Sequence, residues 1–157
     1  MLRFKHLEAG VTPLWVGQNG PIDLIRVDAV DLANSKAEYQ FMRGRVWTPE
    51  DCAIILSSSL TGEEYKTALA HEAIHFVQHM YSGVQGLSPI GMKVNPVWEK
   101  KMTPYLLSLG YSTSQLPYEL EAWYYQANSE WQTLAISVLT GQEDRSAAVR
   151  WCRSKRI

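Results

Sequence analysis

The sequence predicts an α+β fold in which a small N-terminal twisted β-sheet packs on a long helix and a second long helix lies beside it. Three observations predict it. β-branched and aromatic runs, separated by Gly, Pro, Asn and Asp, fill the chain as far as Ser57. A helix-compatible stretch begins at Thr61, and another opens at Pro117.

The strand runs cover residues 11–16, 22–27, 39–46 and 52–57, and a small twisted sheet is the simplest assembly of four such segments. Thr61 and Glu64 then have the spacing of a reciprocal helix cap, and the helix they start runs to Tyr81, with Gly83 as its stop. Leu69, Ala70, Ala73, Ile74 and Val77 cover one side of this helix, while Ala68, His71, Glu72, His75 and His79 fall on or near the other. So few charges over so many turns imply burial, and buried His and Glu need partners.

Residues 84–117 read as loop and short helix, started by Asn95-Pro96 and broken by Pro104. Pro117 suits the first turn of an aromatic-rich helix that carries PYELEAWYYQ and runs to Leu139, near Gly141.

A chain of 157 residues fits one domain, residues 1–157, with 46% hydrophobic and 20% charged residues and with six Trp and eight Tyr for packing or for lining a cleft. A net charge of −1 creates no field that would gather nucleic acid or an anionic membrane. With no apolar run long enough to span a bilayer and no apolar stretch after the basic N-terminus, the expected location is cytoplasmic. Cys52 and Cys152 lack the paired spacing of zinc ribbons or redox motifs and read as buried free thiols.

The chemistry concentrates in His71-Glu72-Ala73-Ile74-His75. At 3.6 residues per turn, histidines four apart project side by side from adjacent turns, so one metal ion takes both imidazoles. Glu72 lies about 100° around the helix from His71, where it does not compete for the metal but reaches a water in an open position. A catalytic zinc site takes three protein ligands. His79 lies about 12 Å along the axis from His71, too far for bonds of about 2 Å, and His6 has no flanking feature that places it near the helix. Glu119 and Glu121, in the first turns of the second long helix, are the better sources; pointing about 200° apart, only one of them faces the metal, and a carboxylate at a helix start is favoured by the dipole in any case.

HEAIH followed by a helix bearing ELEA resembles the gluzincin group of metallopeptidases, and HEAIHFVQ resembles small bacterial and phage-associated zincin-like domains. The resemblance covers residues 52–131. It implies a zincin-like fold, a Zn2+ ion held by His71, His75 and Glu119, with Ala122 packed against the active-site helix, and Glu72 as catalytic base. Many of these families place an Asp four residues after the ligand to orient a histidine; here that position is Trp123, and Asn128, Glu130 or a backbone carbonyl is the expected substitute.

The implied reaction is peptide-bond hydrolysis by a zinc-bound water that Glu72 deprotonates, with the proton then passed to the leaving amine. Tyr111, Tyr118, Tyr124, Tyr125 and His79 are the candidate oxyanion donors. The strand at 53–57 is the expected edge for an extended peptide or protein substrate. Two other readings compete. One is an inactive zincin-like binding or inhibitor module with a structural metal, against which the presence of Glu72 counts. The other is nucleic-acid binding through Arg145, Arg150, Arg153, Lys155 and Arg156 around Trp151, where Glu143 and Asp144 offset part of the charge.

Overall fold

A computed structural model describes residues 15–17, 23–27, 44–47, 53–57, 60–82 and 87–157. The backbone first forms four short strands, β1 (Trp15–Gly17), β2 (Asp23–Val27), β3 (Gly44–Trp47) and β4 (Ala53–Ser57), in the order β1-β2-β4-β3. β1 and β3 pair antiparallel with their neighbours, whereas β2 and β4 run parallel with Leu24 opposite Ile54. Five helices follow: α1 (Gly62–Ser82), α2 (Pro96–Ser108), α3 (Leu116–Tyr125), α4 (Ser129–Leu139) and α5 (Arg145–Ser154).

The expected α+β class, with a sheet and two long helices, is corrected by this architecture. The described residues are mostly helical, and Ile54 and Leu56 of β4 join their core. Strand propensity in the first third of the chain says which segments extend, but not how much of the core they supply. Among the described residues helices supply most of the core, where α1, buried from Ala68 to His79, packs on α3, α4 and α5 as well as on β3 and β4.

The expected helix from Pro117 to Leu139 is also corrected, since it is two helices. Asn128 leaves the helical region (φ −74°, ψ 119°), and its side chain accepts a hydrogen bond from Trp131 N at 2.9 Å, so it ends one helix and caps the next. Pro104, in contrast, does not break α2. It lies on an exposed face next to solvent, where water satisfies the carbonyl that its missing N–H leaves unpaired. α2 starts where Asn95 accepts from Val97 N and Trp98 N and ends at Gly110 (φ +108°), with Gly110 N donating to Leu107 O and Tyr111 N to Leu106 O. That paired closure needs a left-handed residue, which glycine adopts without strain.

The main core joins Ile54 and Leu56 to Leu69, Ile74, Phe76 and Val77 of α1 and to Ala122, Trp131, Ala135 and Val138 of the later helices. Trp131 is fully buried, stacks on Trp151 at 5.2 Å, and donates its indole N–H to Ala70 O at 2.9 Å, one residue before His71. A second cluster of Leu106, Leu109, Tyr111 and Leu120 fastens α2 to α3. Cys152 is a buried free thiol, and burial pushes its pKa far up; Cys52 and His6 lie outside the described residues. No described helix is long and apolar enough to cross a membrane.

Trp131→Ala is expected to lower stability by about 3–5 kcal/mol, because it removes a fully buried indole beside the helix that carries both histidines. Trp131→Phe, which loses chiefly the N–H bond to Ala70, is expected to lose only about 1 kcal/mol. Urea unfolding of the two variants checks both values.

Candidate metal centre

α1 presents His71 and His75 from adjacent turns with their rings edge-on at 4.9 Å, and α3 crosses α1 so that Glu119, in the first turn of α3, comes down between them. All three are buried, as is Glu72. Glu119 Oε1 lies 3.3 Å from His71 Nε2, and Glu119 Oε2 lies 3.2 Å from His75 Nε2. The three groups form a cluster whose ligating atoms all lie within 4.8 Å of one another.

The donor set fits a metal ion. Ligands about 2.0–2.1 Å from one tetrahedral ion sit about 3.3 Å from each other; each histidine lies that far from one Glu119 oxygen, and the three ligating atoms as a set lie within 4.8 Å. Despite these short separations, His71 Nε2, His75 Nε2 and Glu119 Oε1 have no hydrogen-bond partner, although all three are shielded from solvent. Lone pairs aimed at a shared centre rather than at each other give that combination of closeness and poor alignment. Buried polar atoms otherwise find partners.

The other ring nitrogens are engaged. His71 Nδ1 donates to Gln126 Oε1 at 2.8 Å, and His75 Nδ1 donates to Gln78 Oε1 at 2.7 Å. Each bond places a proton on Nδ1 and turns Nε2 toward the cluster, the arrangement a metal-ligating imidazole requires. Neither Asn128 nor Glu130 takes the orienting role expected of them: Asn128 caps α4, and Glu130 accepts from Trp151 Nε1. Trp123 packs edge-on against His71 at 5.6 Å, and its indole nitrogen is buried without a partner.

Glu121 is buried like Glu119 but faces elsewhere, accepting from Ile90 N, Gly91 N, Met92 N and Gln78 Nε2. The expectation that only one of the two carboxylates faces the metal position thus has a structural counterpart, and the second is an anchor rather than a surface charge. Gln78 was legible in principle, since three residues beyond His75 it shares a helix face. Gln126 was legible on the same ground, since it continues α3 two turns beyond Glu119 on the same face.

The electrostatics follow from burial and proximity. Burial alone would raise the Glu119 carboxyl, but His75 and His71 against it outweigh burial and bring it down to about 2. Burial opposes a charge on His75, yet Glu119 and Glu72 push it up to about 9. Glu72 is raised by burial in spite of the two histidines, and its Oε2 has no partner.

Among the candidate oxyanion donors, the Tyr118 ring packs edge-on against His75 at 5.9 Å. Tyr125 donates its hydroxyl to Lys93 O, Tyr111 belongs to the α2–α3 cluster, Tyr124 packs on Trp98, and His79 is buried near the end of α1. β4 is not a free sheet edge for a peptide, as it is paired on both sides, by β2 and β3. In the basic tail, Arg153 and Arg156 lie over Tyr81, and Lys155 lies over Trp151. No family model, no curated protein and no solved structure matches the chain.

Three outcomes are expected. Protein purified with zinc should hold about one ion per chain, lose it in His75→Ala and Glu119→Ala, and keep it in Glu130→Ala, as read by elemental analysis. In the metal-free protein, the His75–Glu119 attraction is complete only where both groups are charged in the folded and unfolded chain. Glu119, depressed from 4.5 to about 2, contributes stability that is present above about pH 4.5 and lost as pH falls through 2. His75, raised from 6.5 to about 9, contributes stability that is present below about pH 6.5 and lost as pH rises through 9. The pair's contribution to the thermal midpoint of metal-free protein, read as the difference from Glu119→Ala, should therefore be greatest between about pH 4.5 and 6.5. Zinc uptake at pH 7.5 should release about one proton, measured calorimetrically in buffers of different ionisation enthalpy.

Proposed function

We propose that the chain is a zinc-dependent hydrolase of the metallopeptidase kind, with His71, His75 and Glu119 as ligands and Glu72 as general base. The observation that carries this reading is the burial of His71, His75 and Glu119 with their ligating atoms within 4.8 Å of one another, next to a second buried carboxylate, Glu72, whose Oε2 has no partner. The arrangement agrees with the gluzincin resemblance of HEAIH and ELEA.

A bound zinc ion would acidify a water molecule and polarise a substrate carbonyl. The residues divide the remaining work. Glu119 and the two imidazoles supply one negative charge to a dication, which leaves the site electrophilic. Glu72 accepts a proton at its unpartnered oxygen and returns it to the leaving amine; its raised pKa suits a group that must both take and give a proton. Gln78 and Gln126 hold the imidazoles by Nδ1, so that neither ring turns when the charge at the centre changes.

The competing reading is an inactive binding module with a structural metal. Glu72 weighs against it. A carboxylate buried with an unpartnered oxygen destabilises the fold, and a structural ion gains nothing from it.

Glu72→Gln is expected to keep its zinc and to lose hydrolysis of unstructured peptide by about 10²–10⁴-fold, the usual contribution of a general base. Zinc content and cleavage of a peptide library, followed by mass spectrometry, check it. Equal cleavage by Glu72→Gln and the unmodified chain would overturn the assignment.

A further inference from the structure

A second buried carboxylate lies behind the metal centre and touches none of its ligands. Glu121 is only 3% exposed, and both its oxygens are occupied. Oε1 accepts from Gln78 Nε2 at 2.9 Å and from Ile90 N at 2.8 Å; Oε2 accepts from Gly91 N at 2.6 Å and from Met92 N at 2.8 Å. Three successive backbone amides around one carboxylate form an anion-binding turn, with the anion supplied by the protein itself.

The consequence passes through Gln78, which is fully buried. Its Nε2 donates both to Glu121 Oε1 and to Tyr118 O, at 2.8 Å. An amide nitrogen has two protons, and both are used. The Gln78 side chain cannot be turned end for end, because its oxygen would then face two acceptors. Its Oε1 is therefore held against His75 Nδ1 at 2.7 Å, and that nitrogen must carry a proton. When the ring gives up a proton to a metal ion, it does so at Nε2, the atom that faces Glu119.

We infer that Glu121 is a positioning residue for the metal centre, acting through Gln78 to fix the tautomer and ring orientation of His75. The relay also ties the site to a distant part of the fold. The 90–92 turn continues into Lys93, whose N–H donates to Lys155 O at 2.7 Å, and Gly91 O accepts from Ile157 N. Met92 and Arg156 form a β-bridge, and the Arg156 guanidinium lies over Tyr81 on α1. One carboxylate thereby holds the 90–93 strap, α3 and the ligand-bearing turn of α1 in a single register.

This inference rests on the proposed metal site, and the test separates the two. Zinc affinity is measured by competition with a chromophoric chelator for the unmodified chain, Gln78→Leu and Glu121→Gln, with thermal unfolding of each metal-free protein in parallel. Gln78→Leu leaves Glu121 bound to the strap; it is expected to bind zinc about 10–100-fold more weakly, the usual loss when a histidine ligand loses its orienting partner. Glu121→Gln is expected to weaken zinc binding in the same range and also to lower the thermal midpoint, since the strap loses its anion. ¹H–¹⁵N spectra of the zinc-loaded protein should show a slowly exchanging His75 Nδ1–H that is lost in Gln78→Leu. If the unmodified chain binds zinc and both variants bind it equally tightly, the relay is overturned while the metal site stands. A fall in thermal midpoint of Glu121→Gln without a change in zinc affinity likewise reduces Glu121 to a structural anchor. No zinc binding by the unmodified chain overturns both.

Discussion

Burying four ionisable side chains, His71, Glu72, His75 and Glu119, in one apolar interior is the constraint on which the rest of this structure depends. Each carries a desolvation penalty of several kcal/mol if left charged and unpaired. The fold meets that penalty by bringing a carboxylate between two imidazoles and by giving each imidazole an amide oxygen on its far side. Glu72 is the group left out of this compensation, and so it stands out chemically.

The helices are arranged to make that compensation possible. α3 crosses α1 to deliver Glu119 and Tyr118 to the two histidine turns, and two turns beyond Glu119 it brings Gln126 opposite His71. Asn128 then caps α4. Trp131, three residues on, locks α4 to α1 through Ala70 O, immediately before His71. Glu121 does the corresponding work on the other flank, where it gathers the backbone of residues 90–92 around α3.

Several readings of the chain were legible for local reasons. The His-Glu-x-x-His spacing depends only on helical periodicity, and the prediction that α1 is buried depends only on its scarcity of charge. Elimination of His79 as a ligand needed nothing beyond the rise per residue. Other readings failed where a local rule met its surroundings. Pro104 ends a helix only if its unpaired carbonyl is hidden from water, and here the face is exposed. The expected α+β class failed because β-propensity marks extended segments without weighing them against the helices that make up most of the described residues.

What the sequence by itself determined is the pairing of His71 with His75 and the exclusion of Glu72 from their side of the helix, because both follow from the 100° step between neighbours on one helix. Only the tertiary structure decided which carboxylate of α3 meets them and which residues orient them. Glu119 and Glu121 are chemically identical and only two positions apart, so nothing but the crossing of α3 over α1 distinguishes them. Gln78 and Gln126 are uncharged amides with no motif around them, and they acquire a role only because the fold leaves each facing one imidazole N–H in a place that water does not reach.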